Sequence, residues 1–318
     1  MLIILILVFS MKFASSLILN KIQINSLVRR IIENNLITDK MLQSEFVPFV
    51  VDNDVLGYCK SDFAKLLESY KDIFVINNQN KIEFLHNFKN FDERTKAIAK
   101  VTLSLKEKGK ITGWRDELFP VCDNFSSQPK FLIERAAYAS FGTRGYGIHL
   151  NGYVKNKNGD ISLWVARRSS TKQTWPEMLD HIVAGGQPYG LSLQENVIKE
   201  CYEEASIPES IANKAIPTGA VSYQTKDEDG NLKRDVLFCY DLELPEDFIP
   251  IPQDNEVESF SLRSLDWVLD KLVAGTEDGY KPNCNLVIID FLIRHGVISP
   301  ESPGYLQLVA SLRSGTCQ

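Results

Sequence analysis

Thirteen residues, Leu193 to Ala205, constrain this chain more than any other segment; they read LQENVIKECYEEA. Ser192 and Glu195 form S-x-x-E just at their start. In that pattern the serine side chain and the glutamate side chain each accept from the other's backbone N–H, so a helix begins here. Pro208 follows its end, where a residue lacking an N–H cannot continue helical bonding. At ~100° per residue, Glu195, Lys199, Glu200, Glu203 and Glu204 fall on one half of the wheel. Val197, Ile198, Cys201, Tyr202 and Ala205 fall on the other. Such a helix lies on a core with one side and turns a charged side away from it. Glu200, Glu203 and Glu204 stand at i, i+3 and i+4, so their carboxylates are neighbours. Crowded carboxylates repel, and a divalent cation removes that penalty; hard Mg²⁺ prefers carboxylate oxygen. A solvated charged face accounts for the same pattern without function. Gly185-Gly186, ahead of the helix, reads as a turn that lets backbone approach a metal or a phosphate.

The flanking residues decide between these readings. Gly185 to Ile207 resembles the Nudix box, G-x5-E-x7-R-E-U-x-E-E-x-G-U, where U is bulky and aliphatic. Gly185, Glu200, Glu203, Glu204 and Ile207 match it. Leu191, Lys199, Cys201 and Ser206 replace the first glutamate, the arginine, the first U and the second glycine. The departures themselves resemble one subfamily, the Nudix proteins related to thiamine pyrophosphokinase. Ala184-Gly185-Gly186-Gln187-Pro188 and Lys199-Glu200-Cys201 carry that likeness in the box. Outside it stand Gly113-Trp114-Arg115-Asp116-Glu117, His149-Leu150-Asn151-Gly152-Tyr153, Lys172-Gln173-Thr174-Trp175-Pro176 and Lys281-Pro282-Asn283-Cys284. The likeness runs from about Phe46 to Arg313, and a chain ending at Gln318 is expected to be a standalone form without the kinase.

This resemblance implies an α/β/α sandwich preceded by a smaller α/β domain. The expected divisions are a leader or extension at 1–40, an accessory domain at 41–130, and a Nudix domain with C-terminal helices at 131–318. It implies a Mg²⁺-dependent diphosphate hydrolase, with Mn²⁺ able to substitute. The substrate implied is a thiamine diphosphate-like compound, oxidised or damaged, cleaved to the monophosphate and phosphate: a metabolite-repair diphosphatase. Another nucleoside diphosphate derivative is the alternative substrate, and a Nudix-fold binding module that lost catalysis is the alternative class. The intact trio Glu200, Glu203 and Glu204 argues against the binding module.

Glu200, Glu203 and Glu204 are the expected metal ligands, with Glu200 and Glu203 also acting in catalysis. Leu191 can neither bind metal nor accept a proton. Glu256 or Glu258, before and within a late strand, is expected to supply that function, and alternation puts both on one side. Arg167 and Arg168 end a strand and point to opposite faces, so at most one reaches a phosphate and the other is a structural pair. Trp175 is a candidate to stack on a heterocycle, with core packing as its plain alternative. Gly185 and Gly186 complete the substrate-binding candidates. Lys199 cannot make the bidentate bond of an arginine; a pair with Glu195 is expected for it. His149 is expected to be structural.

A net charge of −6 in 318 residues argues against a nucleic-acid surface. The six cysteines form no C-x-x-C and the four histidines no evident cluster, so no zinc site is expected. Cys201 and Cys239 read as reduced core residues. Met1 to Phe9, MLIILILVF, is too short to span a bilayer. It reads as a misassigned start before Met11 or as a targeting leader. A cytoplasmic protein is expected, with mitochondria as the alternative if this segment is a presequence, and no stable membrane partner. Along the chain, helices are expected near 24–44, 61–70, 91–108, 265–273 and 286–295. Hairpins are expected at 50–58, at 146–167 and at 215–242, and a strand at 256–262. Pro120 to Pro129 reads as the domain boundary.

Overall fold

The computed structural model describes residues 16–314 except 78, 254, 276 and 277. The apolar leader, Met11 and Cys317 lie outside the described residues.

The N-terminal half opens with α1 (Lys21–Ile32), started by a capping box between Asn20 and Gln23. Ile24, Leu27, Val28 and Ile31 line one buried face at helical spacing. α2 (Asp39–Glu45) leads into β1 (Phe46–Val51) and β2 (Asp54–Lys60). Asp52 and Asn53 between them have φ of 53° and 74°, the paired left-handed conformation that a two-residue hairpin requires. α3 (Ser61–Leu67), β3 (Phe74–Ile76), β4 (Ile82–Phe84) and α4 (Phe91–Glu107) follow. The sheet order is β2-β1-β4-β3. Phe49 is the centre of its core. Phe74, Phe84, Phe131 and Phe141 all meet that ring edge-on, with centroids 6.0, 5.6, 5.9 and 5.5 Å away. β5 (Leu118–Val121) and β6 (Phe131–Glu134) pair as a separate hairpin.

The second half is built on β7 (Arg144–Lys155), β8 (Ile161–Arg168), β9 (Leu179–His181), β10 (Val183–Gly186), β11 (Ile216–Lys226), β12 (Leu232–Glu243) and β13 (Val257–Ser264). The main order is β11-β12-β7-β8-β13, with β10 on β7 and β9 on β8. α5 (Leu193–Ala205) and α6 (Glu209–Ala212) cover one face, where Val197, Cys201, Ala205 and Ala212 pack on Ile148, Leu150, Tyr240 and Leu242. α7 (Leu265–Ala274), α8 (Pro282–Arg294) and α9 (Tyr305–Ser311) cover the other together with α1. The fold is the expected mixed α/β sandwich.

The packing groups residues differently from the boundaries expected at 40 and 130. Leu19, Ile24, Leu27, Val28 and Ile31 belong to the core of the second half, because their apolar stripe meets the helices that follow β13. Phe131, Ile133, Ala137 and Phe141 belong to the core around Phe49. Pro120 to Pro129 is accordingly not a boundary but the closing part of the β5–β6 hairpin. The helix expected at 24–44 is broken between Ile32 and Asp39. Among the described residues no helix is long and apolar enough to cross a membrane.

Candidate active site

α5 is fixed at both ends before any acid is placed. Ser192 N–H donates to Glu195 Oε2 at 2.7 Å, and Glu195 N–H donates to Ser192 Oγ at 3.2 Å. At the other end Ser206 adopts φ 54°, the left-handed cap that the family pattern fills with glycine. Its Oγ donates to Ile251 O at 2.7 Å. The apolar face of α5 is sunk into the sheet core through Val197, Cys201 and Ala205. Glu204 sits at its edge, only 9% exposed, and accepts the Ala184 N–H at 2.8 Å. Glu203 is turned outward.

Gly185 and Gly186 are in a strand, not the turn expected from sequence: they pair with Ile148 and Gly147 of β7. Their lack of a side chain is used all the same. A Cβ on Gly185 would lie 2.4 Å from Glu200 Cδ, and one on Gly186 would lie 2.8 Å from Phe119 Cζ. Glu200 thus lies flat against the β10 backbone. Burial pushes its carboxyl above the ordinary range, although Lys199 pulls the other way. Lys199 does not pair with Glu195, whose carboxylate is engaged by the cap. It reaches Glu200 at 3.1 Å and Glu203 at 2.7 Å. One ammonium therefore bridges two of the three acids.

Glu204 and Glu256 line the same narrow recess, together with Arg168, Asp180 and His181. Glu256 is ion-paired with Lys172. Burial raises its carboxyl, but the Lys172 ammonium and, more weakly, the nearby arginines hold it below the ordinary value. Glu258 is exposed and does not line that recess. The reason is a register shift between Val257 and Ser259, which breaks the alternation that put the two glutamates on one side.

The two arginines also separate. Arg168 is buried and donates to Trp175 O at 2.8 Å, Thr174 O at 2.8 Å and Asp180 Oδ2 at 2.7 Å. It holds the 169–178 loop from inside. Arg167 is half-buried and donates to Glu177 O at 2.6 Å. Trp175, at φ 54°, is 44% exposed on that loop, so it is not a core residue. Sequence reasoning missed three cations beside the acids: Lys172, Arg115 and Arg135. Arg115 and Lys172 lie in segments singled out for their resemblance but given no role there, whereas nothing in the pattern marks Arg135.

Residues 146–283 match the NUDIX domain, and residues 26–145 match a domain described as one of unknown function, DUF4743. The chain is 48% identical over 274 residues to Nudix hydrolase 24, chloroplastic, of Arabidopsis thaliana, covering 86% of this chain and 74% of that protein. Identity to Nudix hydrolase 20, chloroplastic, of the same plant is 47% over 281 residues, with coverage of 86% and 74%. The chain belongs to the Nudix hydrolase family. A Saccharomyces cerevisiae protein described as uncharacterized is 40% identical over 261 residues, 77% of this chain and 75% of its own. The Nudix assignment makes the chain a pyrophosphohydrolase and implies a divalent metal ion.

The Nudix domain also holds a cluster that the sequence reading of its histidines did not foresee. Ligand atoms of His149, Asp180, His181 and Cys284, all buried, lie within 4.8 Å of one another. His149 Nδ1 and His181 Nδ1 share a hydrogen bond of 3.0 Å, and Cys284 Sγ donates to Asp180 Oδ1 at 2.9 Å. Burial alone would push the Asp180 carboxyl up, but Lys281 and Arg168 hold it well down. Burial lowers His181 to about 4. Two cations and a thiol meet the Asp180 carboxylate, so the cluster is a polar tie between β7, β9 and α8, with His181 Nε2 buried and without a hydrogen-bond partner among the described residues. Its nitrogen and sulfur donors suit a softer ion than Mg²⁺.

Proposed function

We propose that the protein is a Mg²⁺-dependent diphosphatase of thiamine diphosphate-like compounds, with oxidised or damaged derivatives as physiological substrates and a monophosphate and phosphate as products. The observation that supports it is the gathering of Glu200, Glu203 and Glu204 on α5, with Glu256 across the recess from Glu204. Every candidate donor among these four is a carboxylate oxygen, which is the donor set of a hard divalent cation. Glu200, Glu203 and Glu204 would hold the metal. Bound there, Mg²⁺ polarises phosphoryl oxygens and lowers the pKa of a bound water. Glu256, kept ionised by Lys172, is the group to take a proton from the attacking water. Glu204 is held in place by the Ala184 N–H. Arg167 and Trp175 offer an anion contact and a flat apolar surface on the rim. The organic half of the substrate rests on the likeness of residues 113–117, 172–176 and 281–284 to the thiamine pyrophosphokinase-related subfamily. A cytoplasmic location is proposed with it, an organelle being the alternative.

The deciding experiment is phosphate release from a panel of diphosphates, thiamine diphosphate and its oxidised forms included, with Mg²⁺ and with excess chelator. Release from the thiamine compounds in Mg²⁺ alone is expected. Equal turnover in chelator removes the mechanism. Turnover of nucleoside diphosphate derivatives only moves the substrate to that class, and tight binding without turnover favours a binding module.

A further inference from the structure

The β5–β6 hairpin belongs to the accessory core through Phe119, Val121, Phe131 and Ile133, yet it is laid on the Nudix box. Leu118 O accepts the Tyr189 N–H at 2.8 Å. The guanidinium of Arg135 lies over Gly186, its Cζ 3.2 Å from where a Cβ there would be. Arg115 Nη2 donates to Gln173 Oε1 of the 169–178 loop at 3.3 Å. One buried carboxylate sets both arginines. Glu134 Oε1 accepts the Arg115 N–H at 2.9 Å and the Ala136 N–H at 3.2 Å, in the short turn that carries Arg135. Arg135 pairs with Glu117 at 2.8 Å but remains 41% exposed. Arg115 is exposed, and no ion pair ties its guanidinium among the described residues. Lys172, next to Gln173 on that loop, pairs with Glu256, and Glu200 packs against Gly185, the neighbour of Gly186.

A cation beside carboxylates that hold a metal is repelled by that metal unless an anion lies between them. Guanidinium groups take phosphate oxygens in paired, charge-assisted bonds. We propose that Arg115 and Arg135 form a phosphate-binding subsite, contributed by the accessory domain, which grips the non-bridging oxygens of a substrate diphosphate opposite the Nudix carboxylates. This rests on the diphosphatase reading above for its ligand class. It gives the accessory domain a direct part in substrate binding.

The test uses the full chain and methylenediphosphonate, a diphosphate that cannot be hydrolysed, titrated in Mg²⁺ by calorimetry. Arg115→Ala and Arg135→Ala should each weaken binding about tenfold, the size of one charge-assisted contact. They should raise KM for a hydrolysed diphosphate by a similar factor while kcat changes less than about threefold. Lys100→Ala, an exposed accessory-domain cation paired with Asp72, is the charge-matched control and should change neither. Glu117→Gln separates binding from support: a subsite keeps its affinity when Arg135 is released, whereas a structural ion pair loses as much as Arg135→Ala does. Unchanged affinity and KM in the folded double variant overturns the proposal, as does failure of the unaltered protein to bind the diphosphonate. A protein that binds it through these arginines yet hydrolyses no diphosphate overturns the hydrolase reading and leaves the subsite standing.

Discussion

At the scale of single residues, Glu204 joins charge to support. It is mostly buried on α5 and accepts a backbone N–H from Ala184. Glu204→Gln keeps an oxygen for that N–H and removes the charge. Folding should survive, and phosphate release should fall on the order of 10²-fold, the loss expected for one strong electrostatic contact to a transition state. An unchanged rate with unchanged metal affinity would return α5 to a solvated face. Glu256→Gln should be strongly harmful and Glu258→Gln nearly silent, which parallel kcat measurements on the two variants will test. The trio on α5 was legible because helical periodicity needs only local spacing. Which of Glu256 and Glu258 lines the recess was not, because a register shift leaves no mark in an alternating pattern. Arg167 and Arg168 could be told to diverge but not which was which. That depends on the carbonyls of Thr174 and Trp175, whose loop path no local pattern gives. The polar tie was invisible for another reason: its partners lie 32 and 104 residues apart.

At the scale of elements, the caps and hairpins were the readable part. The Asp52-Asn53 turn, the S-x-x-E start of α5 and Gly159 in the β7–β8 turn each announce themselves through backbone chemistry. β9 and β10 did not, being short strands whose pairing is decided by β7 and β8. Ser206 explains one departure from the family pattern, since it holds the left-handed cap with its hydroxyl bonded to Ile251 O and Gln253 Nε2. Ser206→Ala loses those bonds and keeps the strain, costing about 1–2 kcal/mol. Ser206→Gly loses the same bonds but relieves about 1 kcal/mol of left-handed strain, so it should be the milder change in urea denaturation. The reverse order would show that the cap is unstrained. Asp241 ties β12 to α8, accepting from Arg294 at 2.6 and 3.0 Å and bonding His295 at 2.8 Å. Burial works against its ionised form, but His295 and Arg294 hold its pKa below the ordinary value. A carboxyl depressed in the fold contributes stability above its unfolded pKa, near about 4. That contribution disappears as pH falls through the folded value. Asp241→Asn should therefore flatten the loss of melting temperature below about pH 4, and a parallel profile for the variant would discount the tie.

At the scale of the molecule, the two halves are pinned through Asp235. Tyr138, from the accessory side, donates to Asp235 Oδ1 at 2.9 Å, and Tyr223 donates to Oδ2. Gly145 leaves the space, for a Cβ there would meet Asp235 Oδ1 and Tyr138 Cε2 at 2.7 Å. Asp235→Ala strands the buried Tyr223 hydroxyl and takes the partner of the half-buried Tyr138 hydroxyl, and should cost about 2–3 kcal/mol; a loss under about 1 kcal/mol in chemical denaturation would mean the pin carries little. The sandwich class came from the resemblance carried by the box and its flanks, with which the order of helices and strands agreed. The course of the chain was not, since α1 packs on α7, α8 and α9 from the opposite end of the sequence. Leu17 N–H donates to Val297 O at 2.7 Å, and Ser299 N–H donates to Leu17 O at 2.9 Å. Any processed form should therefore begin before Leu17, and an N-terminus within 17–32 found by mass spectrometry would contradict this packing.

That return of the chain on itself has a consequence for synthesis on the ribosome. Domains tend to fold in the order in which they emerge, and the accessory core around Phe49 is complete once Phe141 has left the exit tunnel. α1 emerges earlier still, yet the apolar surface it covers is the last to be translated. Its stripe of Ile24, Leu27, Val28 and Ile31 must wait, uncovered, until α7, α8 and α9 arrive. The interval is a window for chaperone capture, and slowing translation after β13 would lengthen it.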